Sequence, residues 1–137
     1  MSERQRPRIT VINDHDAFLD LIADALGGSA GYDVVTHLAN ATSIDAIAAD
    51  HPDLLMVDLR RAAQEGLTGW QIVTLARVHP QLRSVPVIIC SGDVRFLQER
   101  SAELSAMGDV HSLEKPFDLA ALEDLTTRLL TREGPSI

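Results

Sequence analysis

The chain predicts an α/β fold: a doubly wound, five-stranded parallel sheet with helices on both faces, three layers in all. Two observations predict it. Short apolar runs alternate five times with helical patterns along the sequence. The 137 residues suit a single domain with one core, and no internal repeat, low-complexity tract or long linker divides them.

The elements follow in order. Ile9-Thr10-Val11-Ile12 is short, β-branched and bounded by polar residues, so it reads as a buried strand. Asp16 is placed to cap a helix carrying Phe18, Leu19, Ile22, Ala23 and Leu26 on one face, with Gly27 and Gly28 as its stop. A second strand is expected over 32–37 and a short helix over 43–50. Asp53-Leu54-Leu55-Met56-Val57 is the clearest buried strand. A helix over 70–77 precedes a fourth strand over 85–90. A helix over 96–107 is closed by Gly108, and a last strand covers 110–113. Asp118 caps a final helix with Leu119, Leu122, Leu125 and Leu129 on its inner face. The domain is expected over 8–132, with 1–7 and 133–137 as short tails.

Composition narrows the function. The formal net charge of −8 argues against a nonspecific nucleic-acid binder, which needs a basic face. No run approaches the roughly 20 apolar residues of a membrane span, and the first residues lack the apolar core of a secretory signal. Cys90 is the single cysteine, which fits a reducing cytoplasm. The basic residues are eleven arginines and one lysine, Lys115, directly before Pro116.

In open α/β sheets, ligands bind beyond the carboxyl ends of the strands. The residues found there are Asn13, Asp14, Asp58, Ser91 and Lys115, each following one of four strands. Clustered carboxylates repel by about 1 kcal/mol per pair at 4 Å in water and about fourfold more near a protein surface. They call for a cation, and oxygen-only donors suit Mg²⁺. With that charge neutralised, Asp58 is a nucleophile for phosphorus, and the Ser91 hydroxyl and Lys115 ammonium are donors to phosphoryl oxygens.

An acid after strand one, a central Asp, a Ser/Thr and a Lys-Pro, each after its own strand, resembles the receiver domains of two-component response regulators. The resemblance covers about residues 8–132. It implies a flavodoxin-like sheet of order 2-1-3-4-5. It implies that Asp58 accepts a phosphoryl group from a sensor histidine kinase, a phosphotransfer protein or a small phosphodonor, the domain catalysing its own phosphorylation and dephosphorylation. It also implies Mg²⁺ held by Asp14, Asp58 and the backbone carbonyl of Arg60, with Asn13 reaching the ion through water. Output would pass through the last two helices and last strand to a downstream protein or a second copy of the chain, with no direct nucleic-acid contact.

The sequence departs from the family at three points. Asn13 stands where the first acid of a pair is usual, which predicts weaker Mg²⁺ binding without its loss. The segment 60–69 is longer than usual and lacks a proline. Ser112 stands where the family places an aromatic switch residue, and strand alternation sends His111 to the other face. These departures keep alive a second reading, a receiver-like protein-interaction module that works without phosphorylation. A nucleotide or flavin site is a poor third reading, because the first loop Asn13-Asp14-His15-Asp16 is acidic and a glycine-rich cradle is absent. An aspartyl-phosphate phosphatase would need a second Asp where Arg60 stands.

Overall fold

The computed structural model describes residues 6–13, 16–29, 31–38, 42–58, 69–91, 94–114 and 118–131. Five strands, β1 (Arg8–Asn13), β2 (Asp33–Leu38), β3 (Leu54–Asp58), β4 (Val87–Ser91) and β5 (Val110–Glu114), form one sheet in the order β2-β1-β3-β4-β5. Every pairing is parallel. The helices are α1 (Asp16–Ala23), α2 (Ile44–Ala49), α3 (Gly69–Val78), α4 (Val94–Glu99), α5 (Ser101–Ala106) and α6 (Leu119–Thr131).

Strand alternation divides the core in two. Ile9, Val11, Leu54, Met56, Ile88 and Cys90 face Leu19 and Ile22 of α1 and Leu122, Leu125 and Leu129 of α6. Ile12, Leu55, Val57, Val87 and Ile89 face Ile47 of α2, Ile72 and Val73 of α3 and Leu97 of α4. β3 and β4 are buried at every residue, as central strands covered on both faces must be.

Polar residues fix the edge beyond β1. The Arg8 guanidinium pairs with Asp33 at 2.8 Å, and its backbone N–H donates to Asp53 Oδ2 at 2.8 Å. The buried Thr10 hydroxyl donates to Asp50 Oδ2 at 3.1 Å. His37 bridges Asp50 (2.7 Å) and the Thr42 hydroxyl (2.8 Å), so both ring nitrogens are engaged. Asp50 follows α2, and these bonds hold that helix end over β1 and β2.

Two side-chain caps start helices, and of these the Asp118 cap is the one expected from sequence. Ser43 Oγ accepts from Ala46 N–H at 3.1 Å at the start of α2, and Asp118 Oδ1 accepts from Ala121 N–H at 2.8 Å at the start of α6. α2 ends less comfortably. His51 carries φ 53° and donates its N–H to the Ala48 carbonyl, a left-handed stop directly before Pro52. For a residue with a Cβ this backbone costs roughly 1–2 kcal/mol. His51→Gly removes that cost and gives back some unfolded-state entropy, so we expect a stability gain of about 0.5–1 kcal/mol in urea titrations. An unchanged or lower midpoint would contradict the assignment.

Three boundaries differ from the sequence expectation. The first helix does not stop at Gly27 and Gly28 but continues as a π-helical segment, Asp24–Ser29. The chain then turns through Gly31, at φ 79°, and Tyr32 N–H bonds the Leu26 carbonyl at 2.9 Å. β4 begins at Val87 rather than Val85. Val85 N–H is spent on the Leu82 carbonyl, and Arg77 holds the Val85 carbonyl. Pro86 has no N–H to offer but still gives its carbonyl to Leu55 at 3.0 Å. Burial pushes the Arg77 guanidinium below its usual range, opposed by Asp109. The helix expected over 96–107 is two helices, α4 and α5, broken at Arg100 (φ −107°, ψ 14°). Gly108 closes α5 at φ 96° as expected.

Candidate functional site

The strands deliver three of the residues assigned from sequence to one end of the sheet. Asn13 is the last residue of β1, Asp58 of β3 and Ser91 of β4. Ile12 pairs with Val57, so Asn13 and Asp58 occupy the next rung. Neighbouring strands lie about 4.8 Å apart, which sets the amide beside the carboxylate. Val11 and Met56 share the α1/α6 face, and alternation gives Asn13 and Asp58 that same side. Asp58 pairs with Cys90, so Ser91 overhangs Asp58 by one rung, about 3.3 Å farther along the strand direction. Ser91 pairs with Glu114, the last residue of β5, so Lys115 is attached at the same end of the sheet.

These side chains are withdrawn from water: Asn13 is 2 %, Asp58 7 % and Ser91 1 % exposed. A carboxylate at that depth is costly unless it is hydrogen-bonded or paired with a cation. The donor set consists of an amide, a carboxylate and a hydroxyl, all presenting hard oxygens. That chemistry fits Mg²⁺ and not a soft metal. Among the described residues there is no cluster of three or more His, Cys, Asp or Glu that could hold a metal, and Cys90 is buried in the core. His37, His79 and His111 instead pair with Asp50, Asp45 and Asp109. Asp14, Arg60 and Lys115 lie outside the described residues, as do Asp93 and the long segment 60–69 except Gly69, which begins α3.

Ser112 pairs with Ile89 and takes the face of α4 and α5. There it lines a groove with Leu97, Leu104, Val110 and Glu114. His111 takes the opposite parity and is held by Asp109 at 2.6 Å. One cluster, between α3 and α4, was not read from sequence. Trp70 stands edge-on to Phe96, and the Arg100 guanidinium covers both rings. The spacing of Phe96 and Arg100, four apart in a helical pattern, was the available signal.

A parallel 2-1-3-4-5 sheet with a buried acid ending its central strand defines the class: a receiver of the flavodoxin-like fold. The comparisons agree. The family model for the response regulator receiver domain matches residues 9–127, and the chain belongs to that family. It is therefore a receiver domain of two-component signalling. It is 31 % identical over 110 residues to a protein-glutamate methylesterase/protein-glutamine glutaminase of Anaeromyxobacter dehalogenans, covering 80 % of this chain and 30 % of that protein. It is 30 % identical over 129 residues to the DNA-binding transcriptional regulator NtrC of Escherichia coli, covering 93 % and 25 %. The chain thus spans less than a third of either relative. Among solved structures, it is similar to the receiver domain of a signal transduction histidine kinase from Syntrophus aciditrophicus. That match has TM-score 0.76 and 21 % identity, over 96 % of this chain and 98 % of that one. It is also similar to the receiver domain of a Pseudomonas aeruginosa sensor histidine kinase with a magnesium ion in its active-site cleft. There the TM-score is 0.74 and identity 22 %, over 91 % and 98 %.

Proposed function

We propose that this chain is a phosphoacceptor receiver over residues 8–132, taking a phosphoryl group on Asp58 from a histidine kinase or phosphotransfer protein. The observation that carries the reading is the buried Asp58 carboxylate at the end of the central strand, with Asn13 beside it and Ser91 one rung beyond. An Asp58 oxygen attacks phosphorus. The O–P bond forms as the donor's P–N bond breaks, and the imidazole leaves with its electron pair and a proton. Ser91 Oγ and Lys115 Nζ donate to the phosphoryl oxygens as negative charge shifts onto them. Mg²⁺, when bound by Asp14, Asp58 and the Arg60 backbone carbonyl with Asn13 reaching it through water, supplies charge neutralisation. Reversal by water makes dephosphorylation the second self-catalysed step.

The phosphate adds a charge of about −1.5 to −2, enough to bias a neighbouring loop between two states. The signal then leaves by protein contact, with the groove over α4, α5 and β5 as the exposed surface. No described helix is long and apolar enough to cross a membrane. We assign the chain to the cytoplasm, where its kinase partners present phosphohistidine.

Beryllofluoride with Mg²⁺, a phosphoryl analogue, tests the reading by NMR. Large shifts at Ser91 and Lys115 are expected. Unchanged spectra would favour the interaction module that works without phosphorylation. Arg60 and Asp93 each lie two residues past a site residue. Arg60→Ala should shorten the aspartyl-phosphate lifetime by opening the site to water, measured as phosphate release. An unchanged lifetime would remove Arg60 from that role.

A further inference from the structure

We infer that Trp70, Phe96 and Arg100 form a clamp that couples the occupancy of Asp58 to the position of α4 and α5. This rests on the phosphoacceptor reading of Asp58. Trp70 is the second residue of α3, the helix reached through the segment that leaves Asp58. Phe96 is the third residue of α4, and only two residues separate that helix from Ser91. The two rings meet edge to face at 5.9 Å and 89°. The Arg100 guanidinium carbon lies 5.1 Å from the Trp70 centroid and 4.8 Å from the Phe96 centroid. α3 and α4, the next described elements after Asp58 and Ser91, are therefore tied together at one point.

That point is also where the helix breaks. Arg100 stands between α4 and α5 with non-helical backbone angles and no side-chain cap. Its Nε is buried without a hydrogen bond among the described residues, and its Nη1 pairs with Glu103 of α5 at 3.0 Å. Ring faces take the place of polar partners on one side of the guanidinium. α5 has no fully buried residue and meets the core through the partly buried Leu104, so its hold on the sheet is light. A shift of Phe96 relative to Trp70 releases or tightens Arg100, and Arg100 carries α5 through Glu103. This arrangement needs no aromatic residue on β5, where Ser112 is exposed.

Trp70 is the chain's single tryptophan, so its fluorescence reports the clamp directly. The experiment saturates the full chain with beryllofluoride and Mg²⁺. It follows Trp70 emission together with deuterium uptake over residues 94–106, and acetyl phosphate with mass detection scores adduct formation in parallel. We expect emission and uptake both to change in the wild type and neither to change in Asp58→Asn. In Arg100→Ala the adduct should still form, while the ligand-induced uptake change falls about fivefold or more. Phe96→Leu should behave alike, and Arg100→Lys should recover part of the change. Adduct formation with an unaltered uptake response in Arg100→Ala and Phe96→Leu would overturn the clamp and leave the phosphoacceptor reading standing. Failure of the wild type to form any adduct would overturn both.

Discussion

Asp58→Asn protein incubated with acetyl phosphate and Mg²⁺ is expected to show no phosphoryl adduct by mass spectrometry, while the wild type takes up one group. The carboxamide matches the carboxylate in shape but is a far poorer nucleophile, and it presents no full charge to a cation. Asp58 is 7 % exposed and ends a strand buried at every residue, so the substitution must fit without disturbing its neighbours. It does, because it is isosteric, and removing a buried charge lowers a desolvation cost. The variant should therefore melt no lower than the wild type when Mg²⁺ is absent. Loss of the adduct in a protein of undiminished stability isolates the chemistry from the fold. An adduct that persists in Asp58→Asn would place the phosphoacceptor elsewhere and end the assignment. Ser91→Ala is the graded companion: one donor is lost, so transfer slows but the adduct still forms.

Asp58 was legible because it interrupts a pattern. Four apolar residues in a row announce a central strand, and a carboxylate next in line has no packing reason to be there. Asn13 and Ser91 were legible for the same reason, each following a β-branched or apolar run. The sheet order came from the family resemblance, because periodicity shows that strands alternate with helices and not which strands pair. The break at Arg100 was hidden. Residues 96–107 contain no Gly or Pro, and every local preference there permits one continuous helix. At the break stands a guanidinium lying over two rings, and one of those rings lies 30 positions back on α3, a contact that no local pattern displays. The continuation of the first helix through Gly27 and Gly28 was hidden in a similar way. Gly27 has the Tyr32 carbonyl and the Val34 side chain near where a Cβ would sit, so β2 packs against this turn. Two glycines read as a stop because glycine ends many helices; here the chain runs on through both, Gly27 beside β2 and Gly28 with open space around it.

Asn13→Asp should make the stability of this chain depend on Mg²⁺. The wild type sets a neutral amide beside the Asp58 carboxylate, on strands about 4.8 Å apart and with both groups nearly sealed from water. A second carboxylate there repels the first by about 1–4 kcal/mol, depending on how far water screens the pair. Against a typical folding free energy of 5–15 kcal/mol, that loss is visible in any melt. A divalent cation answers the same charge, so the repulsion that weakens the empty fold becomes added affinity in the loaded one. Converted at 1.4 kcal/mol per decade, the gain is roughly one to three decades in Mg²⁺ affinity. Thermal melts in chelator should show Asn13→Asp below the wild type. Titration with Mg²⁺ should then raise its midpoint by more than it raises the wild type's, in proportion to the logarithm of ligand over dissociation constant. A variant destabilised equally with and without the ion would mean that position 13 does not face the cation. A variant indifferent to chelator would mean that the two carboxylates are not neighbours. On the proposed reading, the amide at position 13 exchanges cation affinity for a fold that is stable when the site is empty, a balance suited to a domain that must hold its shape before phosphate arrives.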